Sequence, residues 1–139
     1  MRSTKPILLV EDDNVDAITV RRALKDINVP NGIVHQLDGE NALEYLRSSN
    51  KRPCVILLDL NMPRMNGINF LKIIKNDDEL KQIPVIVITT SKDERDKMES
   101  FEFSVAGYII KSADYKKFAE ALKILNLYWT LSELPYTNV

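Results

Sequence analysis

Residues 55–67 read VILLDLNMPRMNG: the apolar run Val55–Leu58, a carboxylate at Asp59, Leu60, and then a turn-forming stretch containing Pro63 and Gly67. A short Val/Ile/Leu run with no polar alternation is the pattern of a strand buried on both faces, as in a parallel sheet covered by helices. Two further runs have the same character, Ile7–Val10 and Val85–Ile88, and two weaker ones, Ile33–Leu37 and Gly107–Ile110, complete a set of five. Why such a strand should deliver a single aspartate to its end is the question that decides the reading of the chain.

The segments between these runs carry helical periodicity. Ala17, Val20, Leu24 and Ile27 recur at spacings of three, four and three, with Arg21, Arg22, Lys25 and Asp26 largely off that stripe. Further helices are expected near 40–48, 67–76, 92–103 and 113–131. Breakers divide the elements: Pro30, Asn31 and Gly32 before the second strand, Pro53 before the third, Pro84 before the fourth. Strand and helix thus alternate five times, which argues for an α/β fold with a doubly wound parallel sheet and helices on both faces. At 139 residues the chain suits one domain, with no linker, repeat or low-complexity segment. Its single cysteine, Cys54, cannot form an internal bridge, and no secretory leader or membrane-length apolar run is evident, so a reducing cytoplasm is expected. A formal net charge of −1 with mixed signs gives no basic field for nucleic acid.

In a doubly wound sheet, ligands lie beyond the carboxyl ends of the strands. The first strand ends in Glu11, Asp12 and Asp13, the third in Asp59, the fourth in Thr89, Thr90 and Ser91, and the fifth in Lys111. If the first and third strands are neighbours, Glu11, Asp12 and Asp59 converge, and two carboxylates ~4 Å apart repel by roughly 4 kcal/mol at an effective dielectric of ~20. A cation or a shared proton must relieve that. Oxygen-only ligands favour a hard ion, Mg²⁺ before Zn²⁺. The plainer alternative is that the acidic triplet caps the first helix, but this leaves the co-terminal Asp59, Thr89 and Lys111 unexplained. A carboxylate can take up a phosphoryl group, and that group's three oxygens need a metal, a hydroxyl and a fixed cation around them.

The four stretches LLVEDD, LLDLNMPRMNG, IPVIVITTS and GYIIK, in this order and spacing, resemble the receiver domain of two-component response regulators, the family that includes the stand-alone chemotaxis regulator. The resemblance runs from about Lys5 to about Leu127, leaving an extended last helix and a short tail within a single domain of residues 1–139. It implies a flavodoxin-like three-layer sandwich with strand order 2-1-3-4-5. It further implies Asp59 as the acceptor of a phosphoryl group from a sensor histidine kinase, Asp12 as a direct Mg²⁺ ligand, Glu11 as an outer ligand acting through water, and the Asn61 backbone carbonyl as a further ligand. Thr89 and Lys111 would hold the phosphoryl oxygens, and Tyr108 would be the aromatic switch. On this reading the buried strand fixes the nucleophile, and the turn from Pro63 to Gly67 keeps the next helix clear of it. The protein would be a signalling module and not an enzyme in its own right.

Receivers usually carry Lys-Pro with a cis bond where this chain has Lys111-Ser112. A cis bond before Ser costs ~3–4 kcal/mol, so a trans bond and a rearranged loop are expected. His35 reads as an ordinary strand residue, Cys54 as packing, and Arg47, Lys51 and Arg52 as a solvated face. The last helix carries two apolar stripes, Phe118, Leu122, Leu125 and Trp129, and then Ile124, Tyr128 and Leu131. One face cannot bury both, so a homodimer is expected through the surface of helix four, strand five and helix five, with Tyr108, Ile124, Tyr128 and Leu131 as members. The ending LYWTLSELP resembles small regulators associated with bacterial phytochromes, which makes a phytochrome kinase the expected partner. Two rival functions stand beside this reading. An inert receiver-like interaction module would never be phosphorylated. A Mg²⁺-dependent phosphatase with an aspartate nucleophile normally needs a second Asp two residues on, where this chain has Asn61.

Overall fold

The elements alternate in the order β1 (Ile7–Val10), α1 (Asn14–Asp26), β2 (Ile33–Gln36), α2 (Gly39–Ser48), β3 (Val55–Leu58), α3 (Gly67–Lys75), β4 (Val85–Thr89), α4 (Glu94–Glu102), β5 (Gly107–Ile110) and α5 (Tyr115–Leu131). The computed structural model describes residues 5–50, 52–62, 64–90 and 92–131, with only the backbone described for 128–131. All five strands form one sheet of order β2-β1-β3-β4-β5, the order that the resemblance implied, with each neighbouring pair parallel as the alternation of elements led us to expect.

The apolar runs that announced the strands are the core of a three-layer sandwich. Every residue of β1, β3 and β4 is buried, whereas the edge strand β2 is partly exposed throughout. Alternate strand residues point to opposite faces. Leu8, Val10, Ile56, Leu58, Val85 and Val87 meet α2 and α3 through Ala42, Leu43, Leu46, Phe70, Leu71 and Ile74. On the other face Ile7, Leu9, Val55, Leu57, Ile86 and Ile88 meet α1 and α5 through Ala17, Val20, Leu24, Phe118 and Leu122. Each fully buried Leu, Ile or Phe contributes ~1.5–3 kcal/mol relative to exposure, so the centre of the sheet is the best-held part of the molecule.

Capping explains where the helices begin. Asp13, Asp38, Asn66 and Asp93 stand outside α1, α2, α3 and α4, and each accepts a bond from a backbone N–H of the first turn. Asp114 does the same ahead of α5, accepting from the N–H of Lys116 at 3.0 Å. The expected starts at 92 and 113 therefore move to Glu94 and Tyr115.

The turn after β3 brings the chain back against the backbone of the strand end. A Cβ placed at Gly67 would stand 2.6 Å from the Asp59 carbonyl oxygen and 2.6 Å from the Leu60 Cα. The start of α3 thus presses directly on the strand end, held by a bond from Gly67 N–H to Leu60 O of 2.9 Å, and glycine is required for that approach. Pro63, which the expected turn also involved, lies outside the described residues.

The stripes of α5 divide as expected where they are described. Phe118 and Leu122 are buried and Leu125 packs against them, while Ile124 is 60% exposed. The side chains of Tyr128, Trp129 and Leu131 lie outside the described residues, as does the tail from 132.

Candidate functional site

In this strand order β1 and β3 are adjacent, and their crossovers leave on opposite faces of the sheet, α1 on one and α3 on the other. That is the switch point at which an open α/β sheet forms a crevice. Parallel registry brings the strand ends level: Val10 pairs with Leu58, and the Asp59 N–H donates to the Val10 carbonyl at 3.0 Å. Glu11 and Asp59 therefore emerge side by side from the rigid centre of the sheet.

Both carboxylates are buried, Glu11 at 2% and Asp59 at 6% exposure, while Asp12 faces solvent. Glu11, Asp12 and Asp59 each offer an oxygen, and these lie within 4.8 Å of one another. The capping alternative accounts for Asp13 alone, which accepts from Val15 N–H at 2.8 Å and Asp16 N–H at 3.1 Å. Glu11 and Asp12 remain for the crevice. Burial pushes the Glu11 carboxyl up to about 7; the Lys111 hydrogen bond opposes the rise and the Asp59 charge adds to it. A buried acid held this far from its ordinary range beside a second carboxylate is a place where a cation lowers the energy. The all-oxygen donor set fits a hard divalent ion.

Lys111 enters from the end of β5. Its backbone N–H donates to the Thr89 carbonyl at 2.7 Å, which locks the end of β5 to the end of β4. Its ammonium donates to Glu11 Oε1 at 2.5 Å and to Asp16 Oδ2 at 2.8 Å, and stands 3.8 Å from Asp59 Oδ2. Burial alone would lower the Lys111 pKa, but the hydrogen bonds to Asp16 and Glu11 and the charge of Asp59 outweigh it and hold the group above its ordinary value. The Lys111-Ser112 bond is trans, as expected. Ser112 Oγ accepts from the Asp114 N–H at 3.0 Å, so a side-chain turn shapes this loop where the family pattern has proline.

Thr89 closes the opposite wall, fully buried at the end of β4. The Asn61 side-chain amide donates to Thr89 Oγ1 at 3.5 Å and to Thr90 Oγ1 at 3.4 Å, and the Asn61 N–H donates to Asp59 Oδ1 at 3.3 Å. Tyr108 pairs in register with Val87, two residues before Thr89 and on the same face, and its ring lies 6.4 Å from that of Phe101 on α4. Every site residue expected from sequence is thus gathered at one end of the sheet or, for Tyr108, one step along it. Sequence reasoning missed Asp16. Its place in the first turn of α1 gave no signal, because an acidic residue there reads as part of the polar face of the helix. His35 proves to be a strand residue whose Nε2 lies 2.7 Å from the Glu11 carbonyl, and Arg52 bonds the Leu46 carbonyl and Glu79.

A doubly wound sheet that gathers buried acids, a hydroxyl and a lysine at its switch point is the arrangement that the resemblance to two-component receivers implied. The chain belongs to the response regulator receiver domain family, whose description matches residues 7–123. It is 36% identical over 130 residues to the response regulator Rcp1 of Synechocystis sp., covering 90% of this chain and 88% of that protein. The phosphorylated cyanobacterial phytochrome response regulator RcpA superposes with a TM-score of 0.86 at 38% identity, over 95% of this chain and 99% of that one. The Mn²⁺-bound form of Rcp1 does so at 0.84 and 36% identity, over 95% and 99%. Among the described residues no helix is long and apolar enough to cross a membrane.

Proposed function

We propose that Asp59 is the phosphoacceptor, and that residues 1–139 form one receiver domain that carries a signal from a sensor histidine kinase. The observation that carries the reading is the convergence of Glu11, Asp12 and Asp59 within 4.8 Å, two of them buried, with Lys111 reaching into the same crevice. A carboxylate oxygen of Asp59 attacks the phosphorus of a phosphohistidine. The new O–P bond forms as the P–N bond breaks, and the leaving imidazole nitrogen keeps the electron pair and takes up a proton. Strand β3 supplies orientation, since its burial fixes where the nucleophile points.

Mg²⁺ would be held by Asp12 and Asp59 directly, by the Asn61 carbonyl, and by Glu11 through water. When bound, the ion neutralises charge on the transferring phosphoryl oxygens. Thr89 donates its hydroxyl to one phosphoryl oxygen and Lys111 its ammonium to another. Tyr108, sharing a face with Thr89, follows that movement and alters the surface of α4, β5 and α5. That surface exposes Met98, Phe101, Ile124 and Leu127, and is the homodimer contact in this reading. The likeness to RcpA, a cyanobacterial phytochrome response regulator, supports a bacterial phytochrome as the kinase; in this reading the protein works in the cytoplasm.

The test is incubation with Mg²⁺ and phosphoramidate, with the added group located by peptide mass spectrometry. Phosphoryl on Asp59, absent from Asp59→Asn, is the expected result. Modification elsewhere with Asp59 untouched overturns the assignment.

A further inference from the structure

Asp16 lies outside the set of site residues that the family resemblance supplies, yet among the described residues it is one of the two groups within hydrogen-bonding distance of the Lys111 ammonium. The contact is 2.8 Å, against 2.5 Å to Glu11 and 3.8 Å to Asp59. At 3.8 Å the pair with Asp59 is an ionic neighbour and not a hydrogen bond. We propose that Asp16 is a positioning residue that restrains Lys111, holding its ammonium against α1 in the resting protein and competing with the incoming phosphoryl group for it. The inference rests on the assignment of Asp59 as acceptor.

Three features make the restraint specific to the side chain. The Lys111 backbone is tied to Thr89 at 2.7 Å, so the ammonium moves between Asp16 and Asp59 by side-chain rotation alone. Glu11 and Asp59 have other roles in the proposed chemistry, one toward the metal and one toward phosphorus, whereas Asp16 touches neither and keeps its hold when they are engaged. Finally, Asp16 is 39% exposed and borders a cavity of about 260 Å³ that it shares with Thr19, Lys111, Ser112, Tyr115 and Phe118, which gives the carboxylate room to swing away. A partly exposed pair is screened, so the restraint is modest, and its removal strengthens phosphoryl binding by roughly threefold or more.

The experiment is calorimetric titration of the full chain with beryllofluoride, a phosphoryl mimic, at saturating Mg²⁺. Asp16→Asn should bind more tightly than the parent, and Asp16→Glu, which keeps the carboxylate, should return affinity toward the parental value. On a Lys111→Ala background the gain from Asp16→Asn should vanish, since the restraint acts through the lysine. A merely structural role would weaken binding. Unchanged or weaker binding by Asp16→Asn, or a gain that persists without Lys111, overturns the inference. The acceptor assignment is read separately: a parent whose uptake of beryllofluoride is unaffected by Asp59→Asn refutes that assignment, and the restraint with it.

Discussion

Helices α3 and α4 lie side by side, bridged by Lys72 and Glu99 at 3.9 Å, yet they are held to the sheet very differently. In α3, Phe70, Leu71 and Ile74 are fully buried, and its first residue presses on the backbone of Asp59. In α4 the only buried residue is Ser100, while Met98 is 62% and Phe101 51% exposed. The element beside Asp59 is anchored by core packing, and the element beside Tyr108 is anchored by little. Segments with few buried apolar contacts open and shift at low free-energy cost. The molecule thus pairs a fixed centre, where geometry must be kept for chemistry, with a movable edge, where a small bias can change the surface.

Phe70→Ala should cost ~3–5 kcal/mol in urea denaturation, the loss typical of a buried phenylalanine. Phe101→Ala, the same truncation on α4, should stay within ~0.5 kcal/mol. Equal costs would dissolve the contrast.

The fixed centre also stores an electrostatic cost. The folded state raises the Glu11 carboxyl from 4.5 to about 7, so it favours the protonated form. The stability this contributes is complete below pH ~4.5 and is lost as pH rises through ~7. Metal-free protein should therefore lose up to ~3 kcal/mol across that window, and Glu11→Gln should remove this part of the profile. Saturating Mg²⁺ should flatten it too, by favouring the ionised form. A parental profile that Glu11→Gln leaves unaltered would place the cost elsewhere.

At the edge, Ile124→Asp should weaken self-association about tenfold or more, because it puts a charge on the exposed stripe of α5. Sedimentation across a wide concentration range checks this, and a parent that is monomeric with and without beryllofluoride removes the homodimer and leaves a different partner for that face. The smallest static effect is expected of Thr89→Ala and Lys111→Ala. Both should still accept phosphoryl from a small donor, neither being the nucleophile, but should lose the response at Tyr108. A normal response in both variants breaks the link between centre and edge.

The centre was also the more legible half. Strands β1, β3 and β4 are buried on both faces, so their runs were uninterrupted and their ends put Glu11, Asp59 and Thr89 in plain view. Helix boundaries were less so, because capping aspartates such as Asp93 and Asp114 resemble first-turn residues until the backbone is seen. The close approach that requires glycine at 67 was not legible, because it depends on the positions of the Asp59 and Leu60 backbone atoms. Asp16 was hidden because its partner, Lys111, is 95 residues away in the chain.

Amide hydrogen exchange with and without beryllofluoride and Mg²⁺ shows whether a phosphoryl group at the fixed centre is read out at the movable edge. Protection should alter across α4 and β5, residues 94–110, with little change within β3 and the body of α3, and Thr89→Ala should lose the α4 and β5 response. Bound beryllofluoride with exchange in α4 and β5 unaltered would contradict this readout.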